Sequence, residues 1–339
     1  MGSVKDMVRL KGKIGRFIFS DRYSVFDWGK MPDLIEDKGK SLCLSAAYFF
    51  ERLEERGFKT HYMGIVEDGK LKRLDELKAP QNIMQFRLFD VIKPLRNDSG
   101  YDYSVFKDLK GGFLIPLEII YRNALPPGSS VFKRLREGKL TPQDLGLTGM
   151  PKEGQILESP ILDISTKLEE TDRYLSLGEA KSISALTDKE MDQISELTLS
   201  ANSLISESVS RMGLFNEDGK FEFAMDQDRS LVFVDALGTL DECRFTFKGI
   251  PVSKEIARIY YRRTSWFQDV ENAKKRDMIR WKELVISSPP PLPRELHKAL
   301  CDIYRGFVNE LTQREWFKVP PLKGSLKIIK DFFTMVHGS

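Results

Sequence analysis

The chain has 339 residues, enough for two domains or one large two-lobed one, and its 41% hydrophobic and 30% charged residues are the balance of an ordinary globular protein. A formal net charge of +3 is too small to point to nucleic acid or an anionic membrane surface as a partner. The three cysteines (Cys43, Cys243, Cys301) and three histidines (His61, His297, His337) are scattered, which argues against a disulfide framework, a zinc knuckle or a His-based triad and fits a reducing cytoplasm. No apolar run reaches the roughly 18–20 residues of a membrane span, no apolar signal region opens the chain, and no internal repeat is visible.

In chain order, the first predicted strand is Phe17 to Ser20, preceded by the polar turn Lys11 to Gly15. Ser41 to Gly57 carries Leu42, Ala46, Phe49, Phe50 and Leu53 at helical spacing, with Gly57 as the stop signal. Thr60 to Val66 and Gln85 to Ile92 read as strands, while Lys93 to Gly112 is a polar, glycine-containing insertion without an assigned element. Glu118 to Arg122 is a further strand. Thr187-Asp188-Lys189-Glu190 is a capping box opening a long helix, whose stripe of Met191, Ile194, Leu197, Ala201, Leu204, Ile205 and Met212 is core packing. Beyond residue 250, Tyr260 to Trp281 is aromatic and basic. Such interleaving can bind single strands, but a helix packed on its domain is the simpler reading. A proline turn at Ser287 to Pro293 leads to a closing helix from Glu295 to Leu311.

The central stretch is Glu217 to Phe245. Phe221, Phe223 and Met225 alternate with Lys220, Glu222 and Ala224, a period of two. Asp226 to Arg229 fits a hairpin loop before the apolar run Leu231 to Val234. Pairing Met225 with Ser230 sets Glu222 opposite Phe233 and Lys220 opposite Asp235, and facing residues share one side of a sheet. Asp218, Lys220, Glu222 and Asp235 would then line one face, with Phe221 and Phe223 on the other. Such a face suits a metal ion bound to phosphates, since Mg²⁺ takes one or two carboxylates plus phosphate oxygens. On pattern alone, an ordinary solvated hairpin face is the favoured reading.

The same stretch resembles the signature of the SAICAR synthetase family. The family's D-x-K-x-E-F-G strand appears as Asp218, Lys220, Glu222, Phe223 and Ala224, and its D-E-x-x-T-P-D-S-x-R as Asp235 to Arg244, with Ala236 and Leu240 as departures. Further family motifs occur in order. Gly2-Ser3-Val4-Lys5 resembles a glycine turn over ATP phosphates, with Ser3 for the first basic residue. Ser20-Asp21-Arg22-Tyr23-Ser24-Val25-Phe26-Asp27 is a specific match, and Lys38-Gly39 follows. Ile115 to Asn123 with Gly128-Ser129 matches I-P-x-E-x-x-x-R-N and its continuation. Pro160 to Lys167 resembles P-x-x-x-x-S-T-K, and Lys254 and Arg258 keep part of D-K-Q-x-x-R with Ser253 for the aspartate.

The resemblance implies an α+β, two-lobed ATP-grasp-like fold: a small antiparallel-sheet N-terminal lobe (1–117) covering ATP, over a larger α+β lobe (118–339). It implies a cytoplasmic ligase of purine biosynthesis. L-aspartate would be joined to the carboxylate of carboxyaminoimidazole ribonucleotide (CAIR), with ATP going to ADP and phosphate through an acyl phosphate. By the same resemblance Lys220, Glu222 and Asp235 are catalytic, and Glu222 and Asp235 hold Mg²⁺. Gly2, Ser3, Val4, Lys5, Glu118, Lys167 and Lys220 meet ATP. Asp21, Arg22, Ser24, Asp27, Lys38, Arg122, Ser129, Asp218, Arg244, Lys254 and Arg258 meet the ribonucleotide. Arginine with a hydroxyl suits a phosphate monoester. No nucleic acid or membrane partner is implied, and a homo-oligomer is left open. The departures at Ser3, Ala224, Ala236, Leu240 and Ser253 keep one rival in view, a kinase-like enzyme or ligase acting on another phosphorylated substrate; a second, a silent nucleotide-binding paralogue, is opposed by the retention of Lys220, Glu222 and Asp235.

Overall fold

The computed structural model describes residues 4–98 and 100–337. The strands and helices run β1 (Lys5–Leu10), β2 (Ile14–Phe19), α1 (Lys38–Glu55), β3 (Tyr62–Glu67), β4 (Lys70–Lys72), β5 (Ile83–Arg87), β6 (Leu95–Asn97), β7 (Gly100–Asp102), β8 (Phe113–Leu125), α2 (Ser130–Arg136), β9 (Gln155–Thr166), β10 (Tyr174–Leu175), α3 (Leu177–Ser184), α4 (Asp188–Ser210), β11 (Phe215–Met225), β12 (Leu231–Val234), β13 (Cys243–Phe247), β14 (Ile250–Pro251), α5 (Glu255–Tyr261), α6 (Ser265–Arg276), α7 (Trp281–Leu284), α8 (Arg294–Thr312) and α9 (Leu322–His337). This is the mixed α+β architecture expected. Contacts divide it into two compact units, each gathered from separate stretches. One comprises the chain up to Tyr48, Met63–Phe86 and the chain from Thr246; the other comprises Phe49–Tyr62 and Arg87–Phe245.

The first unit holds a sheet of order β1-β2-β5-β3-β4, with β1–β2 and β3–β4 antiparallel. Helix α1 begins beside it for a local reason. Asp21 accepts hydrogen bonds from the backbone N–H of Gly39 (2.9 Å) and Asp37 (3.3 Å), satisfying donors that the first helical turn leaves open. Gly39 is required there, because a Cβ would lie 2.5 Å from the Phe19 carbonyl oxygen. The helix ends as its sequence indicates. Gly57 is left-handed (φ 83°), its N–H reaches Glu54 O and that of Phe58 reaches Leu53 O, a Schellman closure. The aromatic, basic stretch 260–281 runs through the end of α5, the whole of α6, which Thr264 caps, and the start of α7, with breaks at 262–264 and 277–280, and α9 extends the tail against α8.

The second unit is built on the sheet β10-β9-β8-β11-β13-β14, with β12 beside β11. Its three central strands are antiparallel, and their register sets Glu118 beside Ser165 and Glu222, Ile120 beside Asp163 and Lys220, and Arg122 beside Ile161 and Asp218. These residues share one face. On the opposite face Asn123 exchanges hydrogen bonds with Asn202 of α4 (2.9 and 2.8 Å), and the apolar stripe of α4 packs over β8 and β11. The capping box holds: Thr187 Oγ1 accepts from Glu190 N, and the Glu190 carboxylate accepts from Thr187 N at 2.8 Å. Pro160 is tolerated within β9 at a break in the register with β8.

The hairpin register differs from the expected one by a single residue. Met225 pairs with Leu231, so Glu222 faces Val234 and Phe223 faces Phe233. The loop takes Ser230 as well because Arg229 is left-handed (φ 57°) and its guanidinium is anchored elsewhere, on Glu190 (2.7 Å) and the Ala185 and Leu109 carbonyls. The insertion is also structured: β6 and β7 form a two-stranded ribbon, and Ser104–Phe106 is a single 3-10 turn.

Candidate active site

On the polar face of β8, β9 and β11 the structure assembles a ring of alternating charge. Lys167 Nζ lies 3.0 Å from Glu118 Oε1 and 2.6 Å from Glu222 Oε1, while Lys220 Nζ lies 2.9 Å and 3.3 Å from the same two atoms. Both glutamates are buried, and the lysines are about a third exposed or less. Burial works against each ammonium, but Glu222 beside Lys167, and Glu242 and Glu222 beside Lys220, outweigh it, so both lysines titrate above their ordinary value. Glu118 is held low by the two lysines despite its burial. Glu222 is pushed the other way, first by burial and then by the Asp235 carboxylate.

Asp235 reaches this cluster by a route that strand alternation does not supply. In the observed register a continued strand would turn it to the phenylalanine face. Instead β12 ends at Val234, Asp235 takes a left-handed backbone (φ 65°), and its carboxylate comes near enough to act on both Glu222 and Lys220. Its carbonyl accepts a hydrogen bond from His61 Nε2 at 3.0 Å, which fixes that tautomer.

Beside the ring runs a second chain of charges, Arg134–Asp163–Arg122–Asp218–Arg244. Arg122 is 2% exposed. Its Nη1 faces Asp218 (3.3 Å) and Ser129 Oγ (3.5 Å), and its Nη2 faces Asp163 (3.1 Å), Ser130 Oγ (3.1 Å) and Tyr174 Oη (3.4 Å). With Nε also on Asp163 at 3.4 Å, the five donors of this guanidinium are engaged within the protein. Arg244 pairs with Asp218 through Nε at 2.6 Å and through Nη2, and with 35% of its side chain exposed it is the more accessible arginine of the two. Ser129 caps α2, where its Oγ accepts from Val131 N. Asp163, Arg134, Tyr174, Ser130 and Glu242 were not singled out in the sequence. Asp163 carried a usable signal, since it stands two residues before Ser165 and therefore on the same face of β9.

The expected site residues of the other unit have structural duties of their own. Asp21 caps α1. Arg22 pairs with Asp6 at 2.8 Å and donates to Ser20 Oγ at 3.1 Å. Ser24 Oγ accepts from Gly29 N at 3.2 Å, and Asp27 is an exposed left-handed residue (φ 62°). Lys38, fully buried, donates to the Arg22 carbonyl at 3.1 Å. Arg258 pairs with Glu255 at 2.9 Å one turn from Lys254, which precedes α5. The Val4 carbonyl accepts from Ser20 N, and the Lys5 ammonium lies 4.7 Å from the Phe17 ring centroid. Gly2 and Ser3 lie outside the described residues.

Among the described residues no group of three or more His, Cys, Asp or Glu is arranged to hold a metal ion, and no helix is long and apolar enough to cross a membrane. The cysteines Cys43, Cys243 and Cys301 are free and buried.

Known proteins resemble this chain over most of its length. A family model described as SAICAR synthetase matches residues 1–278. A putative phosphoribosylaminoimidazole-succinocarboxamide synthase of Archaeoglobus fulgidus is 52% identical over 336 residues, covering 98% of this chain and 99% of its own. The phosphoribosylaminoimidazole-succinocarboxamide synthase of Thermoplasma acidophilum is 33% identical over 322 residues, covering 93% and 98%. Among solved structures, a SAICAR synthase from Saccharomyces cerevisiae complexed with SAICAR superposes with a TM-score of 0.65 at 20% identity, covering 93% of this chain and 94% of its own. A type-2 SAICAR synthetase in complex with ADP gives 0.56 at 22%, covering 86% and 99%. At these identities the structures speak for the fold.

Proposed function

The chain belongs to the SAICAR synthetase family, and on that premise we propose that it joins L-aspartate to the carboxylate of CAIR, giving SAICAR, ADP and phosphate. The observation that carries this reading is the Lys167–Glu118–Lys220–Glu222 ring with Asp235 at its side. A carboxylate is a poor electrophile, so activation as an acyl phosphate precedes attack by the aspartate amine. Phosphoryl transfer asks mainly for positioning and charge neutralisation. The ring supplies both. Lys167 and Lys220 stay protonated at any physiological pH, and the triphosphate of ATP competes with Glu118 and Glu222 for them.

Glu222 and Asp235 fit Mg²⁺. They are two neighbouring carboxylates, Glu222 being raised first by burial and then by Asp235, and this ion takes one or two carboxylates with the remaining oxygens from phosphate and water. When bound, Mg²⁺ would neutralise charge developing on the phosphoryl oxygens. Arg244, with Ser129, is assigned to the ribonucleotide phosphate, and Asp218 to orienting Arg244. Lys5 and Val4 at ATP, and Asp21, Arg22, Ser24, Asp27, Lys38, Lys254 and Arg258 at the ribonucleotide, rest on the family motifs. The free buried cysteines support a cytoplasmic setting.

The test is ADP release with CAIR, with and without L-aspartate, followed by detection of the succinocarboxamide product. Product formation dependent on all three substrates supports the ligase. ADP release indifferent to aspartate, with a phosphorylated CAIR accumulating, would favour the kinase-like rival instead.

A further inference from the structure

We propose that the insertion 93–112 is a clamp that positions Lys167, with Tyr103 as its key positioning residue. The proposal rests on the placement of Lys167 at ATP. Lys167 opens the segment 167–173 between β9 and β10, and that segment is acidic and polar, with no apolar side chain after Leu168 to anchor it. The insertion supplies the anchors. The buried Tyr103 hydroxyl donates to Glu169 Oε1 at 2.9 Å, Tyr101 Oη accepts from Glu170 N at 3.0 Å, and Arg96 pairs with Glu170. The clamp is itself seated: Tyr103 meets Phe106, and Phe106 lies edge-on to Phe113 at the start of β8 (5.9 Å). On the far side Arg173 ties Glu169 (3.2 Å) to Glu179 of α3 (3.4 Å), and Thr166 N bonds to Arg173 O.

Glu169 is thus gripped from both sides, two residues from Lys167, whose N–H is bonded to Pro116 O at 3.0 Å. Of the insertion's contacts, the Arg96 pair is exposed on both sides and contributes little. The Tyr103–Glu169 bond is the more shielded one, so its loss loosens the segment while leaving the insertion's aromatic seat in place.

The test is a double-mutant cycle read by calorimetric MgATP affinity: wild type, Tyr103→Phe, Lys167→Met and both together. Phenylalanine keeps the ring and removes only the hydroxyl. The expected result is a three- to tenfold weaker MgATP affinity for Tyr103→Phe in the wild-type background and no further loss in the Lys167→Met background. Equal losses in both backgrounds, or none in the wild type while Lys167→Met weakens binding, overturn the proposal. If Lys167→Met leaves MgATP affinity unchanged, it is the placement of Lys167 at ATP that fails. Hydrogen exchange of amides 168–173 then decides on the clamp: faster exchange in Tyr103→Phe supports it, and unchanged exchange overturns it.

Discussion

Glu118 and Glu222 stand directly opposite one another on β8 and β11, and one oxygen of each accepts from the same two ammonium groups. Two carboxylates side by side would repel; the two lysines between them make the arrangement stable and leave four charges ready to be redistributed by a polyanion. Glu222 differs from Glu118 in having Asp235 as a neighbour, and the proposed Mg²⁺ site is placed at Glu222 for that reason. Glu222→Gln and Asp235→Asn are each expected to abolish ATP turnover at ordinary Mg²⁺, with circular dichroism and melting close to wild type. Asparagine tolerates the left-handed backbone at 235 as aspartate does, so a lost fold would not explain lost activity. Full activity in either variant would remove the metal assignment.

Arg122 and Arg244 share Asp218 yet are expected to answer mutation differently. Arg122→Ala leaves Asp163 and Asp218 buried and short of a partner, a change that costs about 3–5 kcal/mol of stability. Arg122→Lys should not restore it, because one ammonium cannot meet two carboxylates, two serines and a tyrosine at once. Arg244→Ala removes a partly exposed group, so melting should fall little while the affinity for the ribonucleotide drops by about 2–4 kcal/mol. Denaturant unfolding and ribonucleotide titration of both variants separate these outcomes. A stable Arg122→Ala protein that has lost only ribonucleotide binding would place Arg122 on the substrate instead.

The sequence revealed elements whose causes are local and obscured those whose causes are distant. The Thr187 capping box, the Gly57 stop of α1 and the strand character of β11 are each written within a few residues, and all appear in the structure. The hairpin register is not local: its extra loop residue depends on Arg229 reaching Glu190 and two carbonyls far along the chain. The charges expected on one face nevertheless meet there, because the left-handed turn at Asp235 offsets the one-residue shift. Arg122 was legible as a site arginine, but its saturation was not, since Asp163 and Tyr174 come from strands whose pairing the sequence does not announce. Asp21 and Lys38 read as ligands on motif grounds, whereas their contacts also hold the start of α1.

A pH effect is expected at Glu67, in the other unit. Its buried carboxylate accepts from Lys72 and from the backbone N–H groups of Ala79 (2.9 Å) and Lys78 (3.0 Å), which hold it down to about 2 from an ordinary 4.5. A carboxylate lowered on folding contributes stability that is present above 4.5 and lost as pH falls through about 2. Glu67→Gln should therefore melt below wild type at pH 7, and the gap should close as the pH is lowered through that window. A gap that stays constant between pH 5 and pH 2 would mean that glutamine is lost on shape rather than charge.

His61 is expected to govern catalysis through the backbone of Asp235. It is buried, its ring lies 5.3 Å from that of Phe50, and its Nε2 donates to the Asp235 carbonyl. The backbone of Asp235 is left-handed, a conformation that asparagine and aspartate tolerate but do not prefer, so an anchor on its carbonyl bears directly on where the carboxylate points. His61→Phe keeps an aromatic ring beside Phe50 and removes the donor. It should lower kcat by about tenfold, the equivalent of about 1.4 kcal/mol and of one hydrogen bond. The KM for the ribonucleotide should stay near wild type, because Arg244 and Ser129 are untouched. His61→Gln, which can present an amide N–H, should recover much of kcat. Because the carboxylate would wander rather than vanish, raising Mg²⁺ should partly restore His61→Phe but not Asp235→Asn. Wild-type kcat in His61→Phe, or equal loss in the phenylalanine and glutamine variants, would show that the anchor has no bearing on the carboxylate.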